Sequence, residues 1–405
     1  MSVLAPLTAE SVENVYVFVC DALRRDELPE SVADLGVTVP TLANALCTPQ
    51  SMPTILSGLY PPNHGVNWFD QSVPGDVSTL LDSPDTDRSE DYTVGYNELV
   101  WGGSPITGVL RDPPSVDLDA LSSPFLVVEH DHGGHTPYPG DMDRSTAAVL
   151  GDISDAETLR GRYREGVAES VGRFHDRLDR LAEQDLLADT LVVFTSDHGE
   201  LLGEYGGFVG HAFPVAPEVV SVPTVFVHDQ LPAGTTTTEH VRHVDLAPTI
   251  DALRRGPPLL DNWTDGQSLL NGGPELPSYT HAHVPANDPF RGSFLDPIYV
   301  APSVWDADGG RVFVDSSPVH RTAMAVYDAF ESGYTAAFNR GKSRFGRLSH
   351  SFGMYWPTQR TFGDPGFSQT AAREVVKSVR AGTRTTETRE LDEQTRRDLE
   401  DLGYL

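Results

Sequence analysis

The feature that most constrains this chain is an unbroken apolar run, Val15-Tyr-Val-Phe-Val-Cys20, that ends directly in Asp21. β-Branched and aromatic residues without a polar interruption suit a strand buried on both faces, as in a parallel sheet. Phe125-Leu-Val-Val128, Leu191-Val-Val-Phe194 and Thr224-Val-Phe-Val227 are runs of the same kind. Helical spacing fills the intervals, most extensively over residues 156–187, where apolar positions repeat among Arg, Asp and Glu pairs. Alternating strand and helix signals predict an α/β fold with a mainly parallel sheet between helices. Residues 102–118, rich in Gly, Pro and Ser, read as loop. After residue 276 the pattern shifts to short strand-like pieces, among them 311–314 and 323–327, and residues 385–405 read as a charged helix. We expect a large domain over residues 1–275 and a smaller, mostly antiparallel subdomain over 276–405.

Composition narrows the partners. The chain has 405 residues, 39% of them hydrophobic, which is ample for a large core. Its formal net charge of -30 repels nucleic acid and anionic membranes. Lys342 and Lys377 are the only lysines, and excess carboxylate with scarce Lys is the surface expected of a protein adapted to a saline cytoplasm. Cys20 and Cys47 are too few for a disulfide framework. No stretch approaches the roughly 20 apolar residues of a membrane helix. The first apolar run lacks a basic flank and reads as a strand, not a signal peptide, so a cytoplasmic location is expected.

Polar residues fall at the strand ends. Asp21 follows the first strand, Asp131 lies just past the strand ending near Val128, and Asp197 and His198 follow the strand ending at Phe194. Open α/β sheets bind ligands outside the carboxyl ends of their strands. A single Asp there is usually a turn or helix cap; three convergent sites point to a metal centre. Carboxylate and imidazole suit Zn, Mn or Fe(II) better than Ca. Two ions about 4 Å apart stabilise both the attacking and the leaving oxygen of an ester.

Further along, the chain resembles the sulfatases and related enzymes of the alkaline phosphatase superfamily. The resemblance rests on Asn14-Val-Tyr-Val-Phe-Val-Cys-Asp21-Ala-Leu-Arg, Ser57-Gly-Leu-Tyr-Pro-Pro-Asn-His-Gly-Val66 and the Thr-Ser-Asp-His-Gly-Glu core ending at Glu200. Val244-Asp-Leu-Ala-Pro-Thr249, Asp265-Gly-Gln-Ser-Leu-Leu270 and the terminal Asp401-Leu-Gly-Tyr404 extend it. It implies an alkaline-phosphatase-like fold with a small C-terminal sheet.

Sulfatases that use formylglycine carry Cys-x-Pro-x-Arg, whereas Cys47-Thr-Pro-Gln-Ser51 places Ser where Arg is required. Counting back from Ser57-Gly58 puts the family's nucleophile on Thr48, with Cys47 one residue early and more readily a small buried residue. A Thr hydroxyl is activated as a nucleophile by a bound metal; its plainer role is a helix cap. Ser51, Met52 and Pro53 would open the following helix, whose free N–H groups favour an anion. Asp131-His-Gly-Gly-His135-Thr-Pro-Tyr138 admits two matches. His135-Thr-Pro-Tyr resembles the sulfatase segment whose His contacts sulfate. Asp131 and His135 also keep the Asp-x-x-Gly-His spacing of two-metal phosphoesterases, which implies Asp131, His135 and His211 on one ion. Asp21, Thr48, Asp197 and His198 would hold the other. His130, His132 and Ser51 are candidate substrate contacts; His281 and His283 more simply share one strand face, and Asp245 caps a helix.

Departures from single-metal sulfatases favour phosphate: Ala22 follows Asp21, no Lys-Trp-His segment lies near 95–101, and His198 stands where Asn is frequent. The expected function is metal-dependent hydrolysis of a phosphate mono- or diester through a covalent intermediate on Thr48. The metals would be two Zn or Mn ions, or Ca or Mg in a sulfatase-like site. The rival readings are a sulfatase, a phosphoryl transferase acting on a glycan or lipid, and a non-catalytic module that kept the metal. The partner in each case is a small-molecule, glycan or lipid ester.

Overall fold

A computed structural model describes residues 3–82, 92–99, 105–211, 213–254, 258–260, 263–272, 277–286, 291–330, 344–386 and 388–402. The expected domain boundary at 275/276, residues 101–104 and the terminal Gly403 and Tyr404 lie outside these. Strand β1 (Asn14–Cys20) is buried along its whole length. The other strands of its sheet are β2 (Val37–Leu42), β3 (Thr93–Glu98), β4 (Phe125–Asp131), β5 (Thr190–Thr195), β6 (Ser221–Val227), β7 (Thr235–Thr236) and β8 (Val241–Arg242). The order is β8-β2-β6-β5-β1-β4-β3, with β7 beside β2. β1 runs parallel to both neighbours, pairing Cys20 with Asp131 and Val19 with Thr195.

The sheet is mainly but not wholly parallel. β6, which carries the 224–227 run, is antiparallel to both β2 and β5. An apolar run reports burial on both faces, not direction, and β6 is buried over residues 222–226 although it runs antiparallel.

Alternation along the strands sorts side chains onto two cores. Val15, Val17 and Val19 pack with Met52 and Ile55 of helix α1 (Thr48–Ser57) and with Leu246 and Ile250, on the helix spanning His243–Leu253. Tyr16, Phe18 and Cys20 face the long helix α2 (Ala156–Glu183), whose side chain Phe174 lies 5.2 Å from the Phe18 ring and 4.9 Å from Phe194. α2 ends at Glu183 because Gln184 leaves helical geometry; a short 3-10 turn at Leu187–Asp189 then leads into β5.

A separate antiparallel sheet joins Ser278–Thr280, Ser303–Trp305, Gly309–Phe313 and Gln359–Gly363. Residues 323–327, read as strand, lie instead in a helix, Pro318–Phe330. There Met324, Ala325 and Asp328 are buried while Val326 is exposed, a helical rather than a two-residue repeat. Pro105–Val109 forms a short helix within the expected 102–118 loop, and the C-terminal helix is confined to Glu393–Asp401.

Candidate active site

Parallel pairing of β1 with β4 and β5 brings three strand ends together. The turn after β1 is held from several sides. Asp21 N–H donates to the Asp131 carbonyl and Gly134 N–H to the Asp21 carbonyl, both at 2.9 Å. Ala22 adopts a left-handed φ of 59° and donates its N–H to Asp197 Oδ1 at 3.1 Å. Leu23 N–H reaches Ser196 Oγ at 2.8 Å. A Cβ at Gly133 would lie 2.2 Å from the Asp21 carbonyl, so only Gly fits beneath the turn.

Asp21, Asp197 and His198 meet at the sheet edge, with ligand-competent atoms within 4.8 Å of one another. His198 Nε2 lies 3.2 Å from Asp197 Oδ2 and 3.7 Å from Asp21 Oδ1. Its Nδ1 donates to the Gly199 carbonyl at 3.0 Å, which leaves the Nε2 lone pair facing the carboxylates. Burial lowers the His198 pKa against the pull of Asp197, so the ring is neutral near pH 7. Asp21 Oδ1, Asp197 Oδ2 and His198 Nε2 are all buried without a hydrogen-bond donor. Burial and then Asp197 push Asp21 well up. Asp197 is instead held down, because His198, His130, the Ala22 N–H and Thr48 outweigh its burial. Two buried carboxylates and an imidazole lone pair pointing at one another are costly unless a cation joins them. The donor set therefore fits a divalent metal.

α1 starts at Thr48, three residues before the expected start, with Cys47 as its cap residue. The Thr48 hydroxyl is buried without a full hydrogen bond, yet it lies close enough to Asp197 to help hold that carboxyl down. Cys47 packs in the apolar core with Met52 and Ile55, and burial pushes its thiol up, with Asp197 adding to the shift. Ser51 falls in the first turn of α1, its hydroxyl also buried and unsatisfied.

The structure does not bring Asp131 to the cluster. Residues 125, 127, 129 and 131 share the face of β4 that looks onto α2, so Asp131 meets Arg173 there, at 2.6 and 2.9 Å. Gly133 N–H closes on its Oδ1 at 3.0 Å. This corrects the expectation that Asp131 and His135 hold one ion together: a carboxylate gripped by a guanidinium fork has no oxygen facing the site. Its neighbour His130 points the other way. His130 Nδ1 lies 2.7 Å from Glu98 Oε1 and its Nε2 3.6 Å from Asp21 Oδ2. Burial lowers the His130 pKa, but Glu98, Asp21 and Asp197 outweigh it and push the ring up to about 10.

His135 and His211 do come together, with Nε2 atoms 3.3 Å apart, and the His211 ring stacks on His198 at 4.0 Å. His211 Nδ1 bonds the Leu46 carbonyl at 2.8 Å, just before the α1 start. His132 packs against His135 at 5.6 Å but turns its Nε2 to the Pro137 carbonyl, 2.7 Å away.

Three residues without an expected role join the site. Glu200 is buried, with its Oε2 unpartnered, and burial followed by Asp197 pushes its carboxyl well up. It lies in the same motif as Asp197, and that was the available signal. Glu98 ends β3 next to β4, a position that only strand order reveals. His243 opens the His243–Leu253 helix, here α3, with neither ring nitrogen hydrogen-bonded. Burial draws it down to about 4, although Asp197 pulls the other way.

A mainly parallel sheet whose strand ends carry a buried Asp–Asp–His set, facing a hydroxyl at a helix start, defines a metal-dependent ester-processing enzyme. A sulfatase family model matches residues 105–253. The low-salt glycan biosynthesis sulfotransferase Agl7 of Haloferax volcanii is 34% identical, across 99% of both chains. The chain therefore belongs to the sulfatase family, a family of ester hydrolases. The phosphonate monoester hydrolase of Agrobacterium radiobacter shares the fold, with a TM-score of 0.59 and 16% identity over 94% of this chain and 98% of that one. So does a protein solved with its substrate D-glucosamine-2-N,6-O-disulfate, with a TM-score of 0.52 and 15% identity over 75% of this chain and 88% of that one. No helix among the described residues is long and apolar enough to cross a membrane.

Proposed function

We propose that this protein cleaves a sulfuric or phosphoric ester at the Asp21–Thr48–Asp197–His198 centre. The XO3 group would pass by way of the Thr48 oxygen to a glycan hydroxyl or to water. The observation that carries this reading is the buried, unsatisfied Thr48 hydroxyl set beside an unsatisfied Asp–Asp–His cluster. A divalent ion held by Asp21, Asp197 and His198 would acidify the Thr48 hydroxyl and draw charge from the ester oxygens. Thr48 Oγ1 then attacks sulfur or phosphorus, the bond to the leaving oxygen breaks, and an acceptor oxygen displaces Thr48 in a second step. His130 Nε2 holds a proton beside Asp21, and Glu98 keeps it there. The Ser51 hydroxyl, buried and unsatisfied in the first turn of α1, suits the anionic group.

The full-length resemblance to a sulfotransferase of glycan biosynthesis favours sulfuryl transfer to a glycan. Phosphate ester cleavage is the second reading, favoured by Ser51 where formylglycine sulfatases require Arg. The decisive assay compares matched aryl sulfate, aryl phosphate and phosphate diester in high salt with Zn or Mn, with and without an oligosaccharide acceptor. Turnover that Thr48→Ala abolishes while bound metal is kept supports the reading. Turnover that survives in Thr48→Ala refutes it.

A further inference from the structure

We infer that the outward face of a two-helix hairpin in the C-terminal part of the chain docks on an anionic membrane surface. The hairpin pairs α4 (Pro318–Phe330) with α5 (Arg344–Tyr355). The Arg347 guanidinium lies 5.7 Å from the Phe330 ring and that of Arg321 4.9 Å from the Trp356 ring, so the helices run antiparallel. Met324, Ala325, Met354 and Tyr355 bury the inner faces in one apolar cluster. The outer faces are apolar as well. On α4, Val319, Ala323, Val326 and Phe330 follow one another at helical spacing, and Val319, Val326 and Phe330 are exposed. Phe345, Phe352 and Trp356 hold the matching positions along α5 and its exit, with Phe345 81% and Trp356 47% exposed. Among the described residues, five of the eight exposed large hydrophobics therefore sit on this hairpin and its exit. A solvated helix of this chain looks different: α2 exposes Arg164, Glu165, Glu169, Asp176, Asp179 and Arg180. Clustered exposed apolar side chains mark an interaction surface.

Charge selects the occupant. In a chain of net charge -30, residues 332–363 contain no Asp or Glu, while Arg340, Lys342, Arg344, Arg347 and Arg360 fall among them. The only carboxylate of α4, Asp328, is buried against the Ser351 hydroxyl. Arg347 stays beside Phe330, and Arg360 donates to the Met354 carbonyl near the end of α5, at 2.9 Å. A second copy would bring the same cations against one another with no carboxylate to meet them. Basic residues around projecting Phe and Trp side chains suit the headgroup region of an anionic bilayer, where the rings enter the acyl boundary. Phe345 projects into solvent rather than lining a groove of the kind that receives a partner helix. The overall charge does not oppose this contact. In about 1 M salt the Debye length is roughly 3 Å, so the bilayer meets the hairpin's own charges and burial of the rings carries the binding. The contact would hold the protein at a membrane surface without a spanning segment.

The test is flotation of the full chain in high salt with vesicles of equal parts phosphatidylglycerol and phosphatidylcholine. The wild type should float with them, and less of it with phosphatidylcholine alone. Phe345→Ser should weaken the partition roughly tenfold and Phe345→Ser/Trp356→Ser about a hundredfold, since each lost ring removes apolar burial. Both positions are exposed and lie outside the Asp21–Thr48–Asp197–His198 centre, so circular dichroism and bound metal should match the wild type. A wild type that floats with neither vesicle, or equally with both, overturns the inference, as does a double variant that floats as well as the wild type. A dimer in sedimentation equilibrium that Phe345→Ser breaks assigns the face to a second copy and overturns it too. None of these outcomes bears on the proposed ester chemistry, which a soluble aryl ester reads separately.

Discussion

Replacing Arg173 with Met separates the two roles open to Asp131. In the folded chain the Asp131 carboxylate is fully buried and takes two bonds from a guanidinium whose side chain is 31% exposed. Removing one member of a buried pair costs about 3–5 kcal/mol, because the remaining charge is uncompensated. Two features reduce the figure: Gly133 N–H still bonds Oδ1, and the partly exposed Arg173 gives up some of its interaction to solvent. We expect a loss of about 2–4 kcal/mol in urea unfolding near neutral pH. The pH dependence has a definite sign. Burial raises Asp131, but Arg173 outweighs it and holds the carboxyl below its ordinary value, so its stabilisation is present above the unfolded value of about 3.9. It is lost as pH falls through the folded value, and the gap between wild type and variant should close in acid. Bound metal should be unchanged in Arg173→Met. A variant that keeps its stability but loses a metal ion would refute the structural role given to Asp131.

Other substitutions probe the rest of the site. Cys47→Ala removes a small side chain from the apolar core and should cost on the order of 1 kcal/mol while turnover persists; abolished turnover would restore a cysteine-derived nucleophile. Gly133→Ala puts a Cβ 2.2 Å from the Asp21 carbonyl at a φ of +55°, so it should destabilise the fold by about 2 kcal/mol or more and sharply weaken metal binding. Tight metal binding by a well-folded Gly133→Ala would contradict that geometry. In metal-free protein, Glu98→Gln should lower the His130 titration midpoint, read by NMR, from about 10. The wild-type His130 contributes stability below about 6.5 that is lost as pH rises through its folded value, and the variant should lose it earlier. An unmoved midpoint would show that Glu98 does not hold the proton.

Much of this was legible in the chain itself. The apolar runs marked β1, β4, β5 and β6 because burial on both faces leaves no alternation to misread. The Asp after β1 and the Asp-His after β5 marked the edge of the candidate site because parallel strands deliver their carboxyl ends to one side. Local sequence did not determine direction, face or neighbour. β6 runs antiparallel to both β2 and β5, a direction that its own apolar pattern does not carry. Asp131 faces Arg173 rather than the site because a period of two residues sends it to the opposite side from His130, and only the observed length of β4 sets that phase. The match has a simple physical basis: four residues of helix and two of strand both advance roughly 6 Å, so Arg173 and Arg177 meet Asp131 and Glu129 in register. Glu98 reaches His130 because β3 pairs with β4, and Glu200 reaches His211 because a short hairpin, Leu201–Leu202 with Val209–Gly210, folds the chain back. The sequence by itself determined which residue types could bind a metal and on which edge of a sheet. The tertiary structure alone decided which of them point at one another, since side-chain direction follows from strand phase and long-range pairing rather than from any local pattern.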